Sequence, residues 1–167
     1  MTFIRAMLVA LLLFALQGAF SVVLPAGVPA PDLFLLAAVA VFTRMRPIPG
    51  LFVATGIGLA QDVFGLGLIG FHAAGLGVAV YMVYLVRRLF SSETTINHLL
   101  AVVLASLGKW IVFVILNYWT RQGLLTGGTF LQIVLPELAL TLLLAPFVYS
   151  LAGWAFGPVS STEERLL

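Results

Sequence analysis

Residues 6–24 read AMLVALLLFALQGAFSVVL, without a single charged side chain, and this stretch decides the fold class. A helix needs about 20 apolar residues to cross a hydrocarbon core of roughly 30 Å. The remainder of the 167-residue chain has the same character, with 62% hydrophobic residues, 8% charged residues and a mean hydropathy of +1.18. A soluble domain carries about 25% charged residues, because its elements need polar faces. The composition therefore excludes a soluble enzyme or a nucleic-acid-binding protein and predicts an all-α polytopic membrane protein.

Proline, glycine and charged residues divide the chain into six predicted transmembrane helices within one domain, residues 1–167. Asp32 follows Pro31 and is a good helix start, because a carboxylate favours the positive end of the helix dipole. The second span would cover only about 18 Å at 1.5 Å per residue. We therefore expect that it crosses incompletely or tilted, or begins before Pro31. The predicted spans are 4–24, 32–43, 49–64, 70–87, 97–118 and 130–155, with a tail at 156–167.

The arginines predict that both termini are cytoplasmic. Cytoplasmic segments of membrane proteins carry an excess of basic residues, and six crossings leave only Arg121 outside. A count of five spans would instead place Arg44 and Arg46 on the side opposite Arg5. An uncleaved first span is favoured over a signal peptide, because the apolar run is too long and Gln17-Gly18-Ala19 is a poor cleavage site. The arginines predicted to lie inside are Arg5, Arg44, Arg46, Arg87, Arg88 and Arg165.

Few residues are placed for catalysis or metal binding. The chain has no cysteine, and the predicted spans place His72 and His98 on opposite sides of the membrane, so a zinc site is not expected. His72 is expected to cap a helix or to bond a neighbouring loop carbonyl. Residues 65–70 spell Gly-x-Gly-x-x-Gly, but hydrophobic helices flank them where a dinucleotide site needs a strand. We interpret this segment as an outer turn and expect no enzyme, no cofactor and no nucleic-acid partner.

Three charged residues fall inside predicted spans: Asp62, Lys109 and Glu137. Each costs several kcal/mol within a membrane unless it is paired or hydrated. They form either a structural ion pair that joins helices or a polar pocket or proton path. We predict that Lys109 pairs with Glu137, since consecutive spans tend to be neighbours. The remaining carboxylate, Asp62, is then expected to be protonated or hydrogen-bonded to Gln61 or Asn117.

Small residues mark a second set of candidate positions in the third and fourth spans. Small side chains let membrane helices approach closely, so these positions predict either packing within the chain or an interface with a partner. The candidates are Gly56, Gly58, Gly70, Ala74 and Gly77.

The order of several motifs resembles the rod shape-determining protein MreD family of bacteria. The sequence PDLFLL at 31–36 precedes a basic, proline-rich corner at 44–49. A glycine-rich segment, GIGLAQDVF at 56–64, then leads into GLIGFHA at 67–73 and the paired arginines at 87–88. Family members often carry an apolar residue where Gln61 stands and a proline where Ile69 stands. The motif-bearing part is 31–88, and the resemblance covers essentially the whole chain.

This resemblance implies a non-enzymatic membrane component of the cell-elongation machinery in the bacterial cytoplasmic membrane. The protein would bind the single-span protein MreC and help to maintain rod shape by regulating lateral peptidoglycan synthesis. Links to MreB, RodA and a class B penicillin-binding protein would be indirect, and a homo-oligomer is left open. The family fold resembles the six-helix substrate-binding subunits of vitamin (ECF-type) importers. A small-molecule-binding subunit of such an importer is therefore the alternative function.

Overall fold

The computed structural model describes residues 2–65, 68–89, 95–120 and 127–157, and these residues form six α-helices. Each helix overlaps one predicted span, with ends that differ by a few residues. Arg121, Arg165 and the tail beyond Gly157 lie outside the described residues, as do two positions of the predicted 65–70 turn, 66 and 67. The helices are α1 Thr2–Val23, α2 Leu33–Phe42, α3 Pro47–Phe64, α4 Phe71–Leu89, α5 Thr95–Trp119 and α6 Gly127–Phe156.

Four helices, α1, α3, α5 and α6, are long and apolar enough to cross a membrane. Their outward faces carry large apolar side chains, such as Leu11, Phe52, Ile111 and Leu143, which are all more than half exposed. An all-helical fold that presents such faces buries them in lipid, because water would leave them unfavourably solvated. The chain is therefore an integral membrane protein.

Helix α2 is a short helix in the interior of the bundle. It has ten residues and therefore spans about 15 Å, and it contacts all five other helices. Short apolar helices of this kind are typical of a buried core. Seven of its residues are buried: Leu33, Leu35, Leu36, Ala38, Val39, Ala40 and Phe42. The second predicted span is thus a central helix that begins directly after Asp32, and the alternative start before Pro31 is wrong.

Residues 24–32 return from the end of α1 to the buried start of α2 in a non-helical conformation. Backbone amides at this depth need partners from the protein, because lipid offers none. Pro31 has no amide hydrogen; the next amide, of Asp32, donates to Thr141 Oγ1 at 2.9 Å. The amide of Leu33 donates to Gln17 Oε1, also at 2.9 Å. Side chains from α6 and α1 therefore fix the point at which α2 begins.

Helices α3 and α4 form a tight antiparallel hairpin, and α4 packs in turn along α5. A Cβ atom added at Gly58 would collide with the carbonyl of His72 and lie 2.6 Å from Ala73 Cα. A Cβ atom at Gly75 would lie 2.8 Å from Phe113 Cε1 and 3.0 Å from Lys109 Cγ. Glycine at these two positions therefore permits the close approach of α4 to α3 and to α5.

Candidate functional site

Lys109 joins three helices through two carboxylates in the interior of the bundle. Its Nζ atom lies 2.5 Å from Asp32 Oδ2, at the start of α2, and 2.6 Å from Glu137 Oε1 on α6. Asp32, Lys109 and Glu137 are each no more than 8% exposed. Charge-assisted hydrogen bonds of this length are among the stronger ones in proteins. We call these three residues the lysine cluster.

The lysine cluster also satisfies the first turn of α2. Asp32 is the N-cap residue of this helix, and its Oδ1 atom accepts a hydrogen bond from the amide of Leu35 at 2.8 Å. The N-terminus of a helix carries about half a positive charge, and the Lys109 ammonium group adds a full positive charge beside it. Two carboxylates therefore face one ammonium group and the positive end of α2, which explains why one lysine is found with two acids.

Aromatic rings close the lysine cluster on one side. Lys109 Nζ lies 5.2 Å from the centre of the Trp110 ring and 5.3 Å from that of Phe113. Both distances allow a cation–π attraction. Phe113 also stands edge-on to His72, at 5.1 Å between ring centres. One ring therefore separates the lysine cluster from a second polar group at the start of α4.

This second polar group is centred on Asp62, which caps α4 from the last turn of α3. Its carboxylate accepts hydrogen bonds from the amides of Gly70, His72 and Ala73, at 2.8, 2.9 and 3.1 Å. The Nδ1 atom of His72 lies 2.7 Å from Asp62 Oδ1. The first amides of a helix have no hydrogen-bond partner within the helix. Residues 68–70 provide no capping side chain for α4, and the buried Asp62 side chain takes that role. We call Asp62 and His72 the α4 cap.

The predicted pairs are partly confirmed by these contacts. Lys109 contacts Glu137 as expected, but its second partner is Asp32, which the sequence marked only as a helix start. The predicted hydrogen bond of Asp62 to Gln61 or Asn117 is wrong, because its oxygens contact three backbone amides and His72 instead. Protonation of Asp62 stays a prediction. The prediction that His72 bonds a neighbouring loop carbonyl is also wrong, because its Nδ1 atom contacts the Asp62 carboxylate instead. The spacing of Asp62 and His72, ten residues apart across a turn, was the available signal.

The candidate small residues fall into three groups. Gly58 and Gly77 face the α3–α4 contact; a Cβ atom at Gly77 would lie 3.3 Å from Thr55 Oγ1. Gly70 adopts a φ of +101° in the turn before α4, a conformation that glycine favours. Gly56 and Ala74 are exposed, and a Cβ atom at Gly56 would meet nothing within 4 Å. Gly56 and Ala74 are therefore the candidate positions on exposed helix faces that another molecule could contact.

The two polar groups are arranged to hold helices together. Among the described residues, no three histidine, cysteine or acidic side chains converge to hold a metal ion. The oxygens of Asp62 are taken by backbone amides and His72, and Lys109 lies between the other two acids. In chemical terms, the arrangement cross-links α2, α5 and α6 at one point and α3 and α4 at another.

A cavity of about 260 Å³ lies between α1, α2 and α3. Three polar side chains reach it, from Gln17, Ser21 and Gln61, and the Gln61 Oε1 atom has no hydrogen-bond partner among the described residues. The rings of Phe14 and Phe64, 5.6 Å apart, form part of its wall. This volume lies just below the range of roughly 300–1,000 Å³ that is usual for ligand sites.

A scan against models of known protein families, a search of curated proteins and a search of solved structures each find no match to this chain.

Proposed function

We propose that this protein is a non-enzymatic membrane component of the bacterial cell-elongation machinery and binds a single-span partner of the MreC type. The proposal rests on the resemblance to the MreD family, which consists in the order and spacing of several motifs between residues 31 and 88. One observation supports treating the motifs as a unit. Four residues from the two consecutive motifs at 56–64 and 67–73, Gly58, Asp62, Gly70 and His72, meet at the start of α4.

The spacing of these motifs has a physical explanation in this geometry. Asp62 reaches the amides of α4 only if the turn is short and α3 lies very close to α4. Gly58 provides that closeness, and Gly70 provides the turn conformation. A sequence that keeps all four residues at this spacing builds a rigid α3–α4 hairpin, which suits a scaffold that presents helix faces to a partner.

The proposed topology has six crossings with both termini in the cytoplasm of a bacterium. Arg5 at the start of α1, Arg44 and Arg46 between α2 and α3, and Arg87 and Arg88 at the end of α4 all belong to one end of the bundle. The positive-inside rule assigns this end to the cytoplasm. Reporter fusions at residues 44–49 should therefore give a cytoplasmic signal, and a periplasmic signal there would contradict the topology.

The proposed interface uses packed helix faces, since the segments that connect the helices at the opposite end are short and offer little area. Gly56 lies on an exposed face of α3 between Phe52, Leu59 and Val63, and is a notch in a stripe of large side chains. A partner helix could approach closely at such a notch. Gly56→Leu should fill it and weaken the complex without disturbing the fold, because Gly56 is exposed and a Cβ atom there meets nothing within 4 Å.

The test is co-purification of the tagged chain with a co-expressed MreC-type partner. Gly128→Leu is a matched control, because Gly128 is also an exposed helical glycine with open space around it. We expect a clear loss of partner with Gly56→Leu or Ala74→Leu and wild-type recovery with Gly128→Leu. Wild-type recovery with both interface variants would place the interface elsewhere. Failure of the wild-type chain to retain any such partner, or to restore rod shape in cells depleted of their own MreD, would contradict the function.

The cavity between α1, α2 and α3 favours the second candidate, a small-molecule-binding subunit of an importer. Its partnerless Gln61 oxygen and aromatic wall are features of a ligand site. The discriminating experiment is native mass spectrometry of the purified chain. A stoichiometric small molecule that is lost in Gln61→Leu, together with co-purification of an energising subunit, would support the importer over the elongation component.

A further inference from the structure

The described arginines all lie at one end of the bundle, and the described acids lie elsewhere. Asp32 and Glu137 belong to the lysine cluster in the interior, and Asp62 lies at the opposite end of α3. Glu93, Glu163 and Glu164 lie outside the described residues. The arginines in question are Arg5, Arg44, Arg46, Arg87 and Arg88. We call this end of the protein the arginine end.

Two of these arginines are used to hold the fold. Arg87 Nη1 donates to the carbonyl of Thr43 at 3.0 Å, which ties the end of α4 to the end of α2. Burial lowers the pKa of the Arg44 guanidinium from its ordinary value, but arginine stays charged in proteins. Its nitrogens donate to three carbonyls, those of Ala40, Tyr149 and Gly157, at 2.7, 3.1 and 2.9 Å.

The other arginines on the same corner point outward. Arg46 and Arg88 are exposed, and neither forms an ion pair with any of the acids that the structure describes. Arg46 precedes α3, Arg88 ends α4, and these two helix ends are adjacent because α3 and α4 are antiparallel neighbours. The contact of Arg87 with Thr43 places the end of α4 directly beside the corner that contains Arg46.

An aromatic side chain marks the level of the membrane surface at this end. Trp154, near the end of α6, is 54% exposed, and the Arg5 guanidinium lies 5.2 Å from its ring centre. Tryptophan is enriched where lipid headgroups meet the hydrocarbon core. Arg44 donates to the carbonyl of Gly157, three residues beyond Trp154, so the corner that carries Arg46 and the adjoining end of α4 lie near this level. The anions within reach there are the phosphate groups of the lipid headgroups.

We propose that Arg46 and Arg88 form a binding site for the headgroup of an anionic phospholipid. Guanidinium groups match phosphate oxygens with paired hydrogen bonds, and basic side chains near a membrane surface attract anionic lipids. Arg44 and Arg87 fix the backbone of this corner through their carbonyl contacts, so both exposed arginines project from anchored helix ends. This site is independent of the partner and the cellular role proposed above, since it requires only that the chain is embedded in a membrane.

The experiment is native mass spectrometry of the purified full chain, equilibrated with equal amounts of phosphatidylglycerol and phosphatidylcholine of matched acyl chains. The readout is the ratio of the two lipids in the first bound adduct. We expect a preference for phosphatidylglycerol that falls roughly 30-fold in Arg46→Ala/Arg88→Ala, as expected for about 1 kcal/mol per arginine at a membrane surface. Arg46→Lys/Arg88→Lys should retain much of the preference, because the charges remain.

Arg121→Ala is the matched control, since Arg121 follows α5 in the sequence and is the arginine predicted to lie on the other side of the membrane. It should leave the lipid preference unchanged, and raising the salt concentration should weaken the wild-type preference by screening. An unchanged preference in Arg46→Ala/Arg88→Ala, or an equal loss in Arg121→Ala, would overturn the site. Release of the bound lipid by excess soluble glycerol phosphate would also overturn it, because the site would then recognise the free anion instead of a lipid. Circular dichroism of each variant confirms that helical content is retained.

Discussion

Lys109→Met should destabilise this protein by about 4 kcal/mol, because it leaves two buried carboxylates without their shared cation. Removing one member of a buried ion pair costs about 3–5 kcal/mol. Here the removed ammonium contacts Asp32 at 2.5 Å and Glu137 at 2.6 Å, and its side chain is only 6% exposed. Asp32 keeps part of its stabilisation, since it also accepts the Leu35 amide. For this reason the estimate lies in the middle of the range.

Removal of the surplus charges should restore stability in steps. Lys109→Met with Glu137→Gln should recover about half of the loss, because Asp32 still carries an unpaired charge at the start of α2. Adding Asp32→Asn should recover most of the rest, since asparagine is as good an N-cap as aspartate and a neutral cluster has no buried charge. Non-additivity on this scale is expected for residues in direct contact.

The measurement is the free energy of unfolding in mixed detergent micelles, followed by far-ultraviolet circular dichroism as a denaturing detergent is added. Leu107→Met controls for a methionine on α5, because Leu107 is 41% exposed on the same helix. The reasoning would be refuted if Lys109→Met stayed within about 1 kcal/mol of the wild type, below the effect of a buried charge. It would also be refuted if the triple variant were no more stable than Lys109→Met alone.

Three further substitutions test the packing and the caps by the same unfolding measurement. Asp62→Ala should cost about 2 kcal/mol, since cap removal typically costs about 1 kcal/mol and this cap serves three amides; wild-type stability would argue against the α4 cap. Gly58→Ala should lower the free energy of unfolding by about 1–3 kcal/mol through overpacking, whereas Gly56→Ala, which has open space around it, should leave it unchanged. Equal effects of the two variants would contradict the close α3–α4 contact. Arg44→Ala should lower the free energy of unfolding by about 2 kcal/mol, because three hydrogen bonds to carbonyls are lost, and Arg46→Ala should leave it unchanged. A larger loss in Arg46→Ala than in Arg44→Ala would contradict the assignment of Arg44 as an anchor of the fold.

The positions of the helices could be predicted from the sequence because they depend on local properties. Uncharged runs, prolines and glycines act within a few residues of where they stand. The start of α2 directly after Asp32 follows from the capping side chain of that residue. Helix α3 begins at Pro47, two residues before the predicted start, because proline suits the first position of a helix. The presence of buried charges at Asp62, Lys109 and Glu137 was equally visible, since each interrupts an apolar run.

The partners of those charges depended on the tertiary structure, because the local pattern does not say which helix ends meet. Asp32 belongs to the lysine cluster only because α2 is a short central helix whose buried N-terminus lies beside α5 and α6. Asp62 is excluded from it because its carboxylate is used to cap α4. Gln17 and Thr141 are, in the sequence, ordinary polar residues within apolar helices. In the structure they accept hydrogen bonds from the first backbone amides of α2, Gln17 from α1 and Thr141 from α6. Composition and local pattern therefore determined which segments are helical, whereas helix adjacency decided which buried polar atoms found one another.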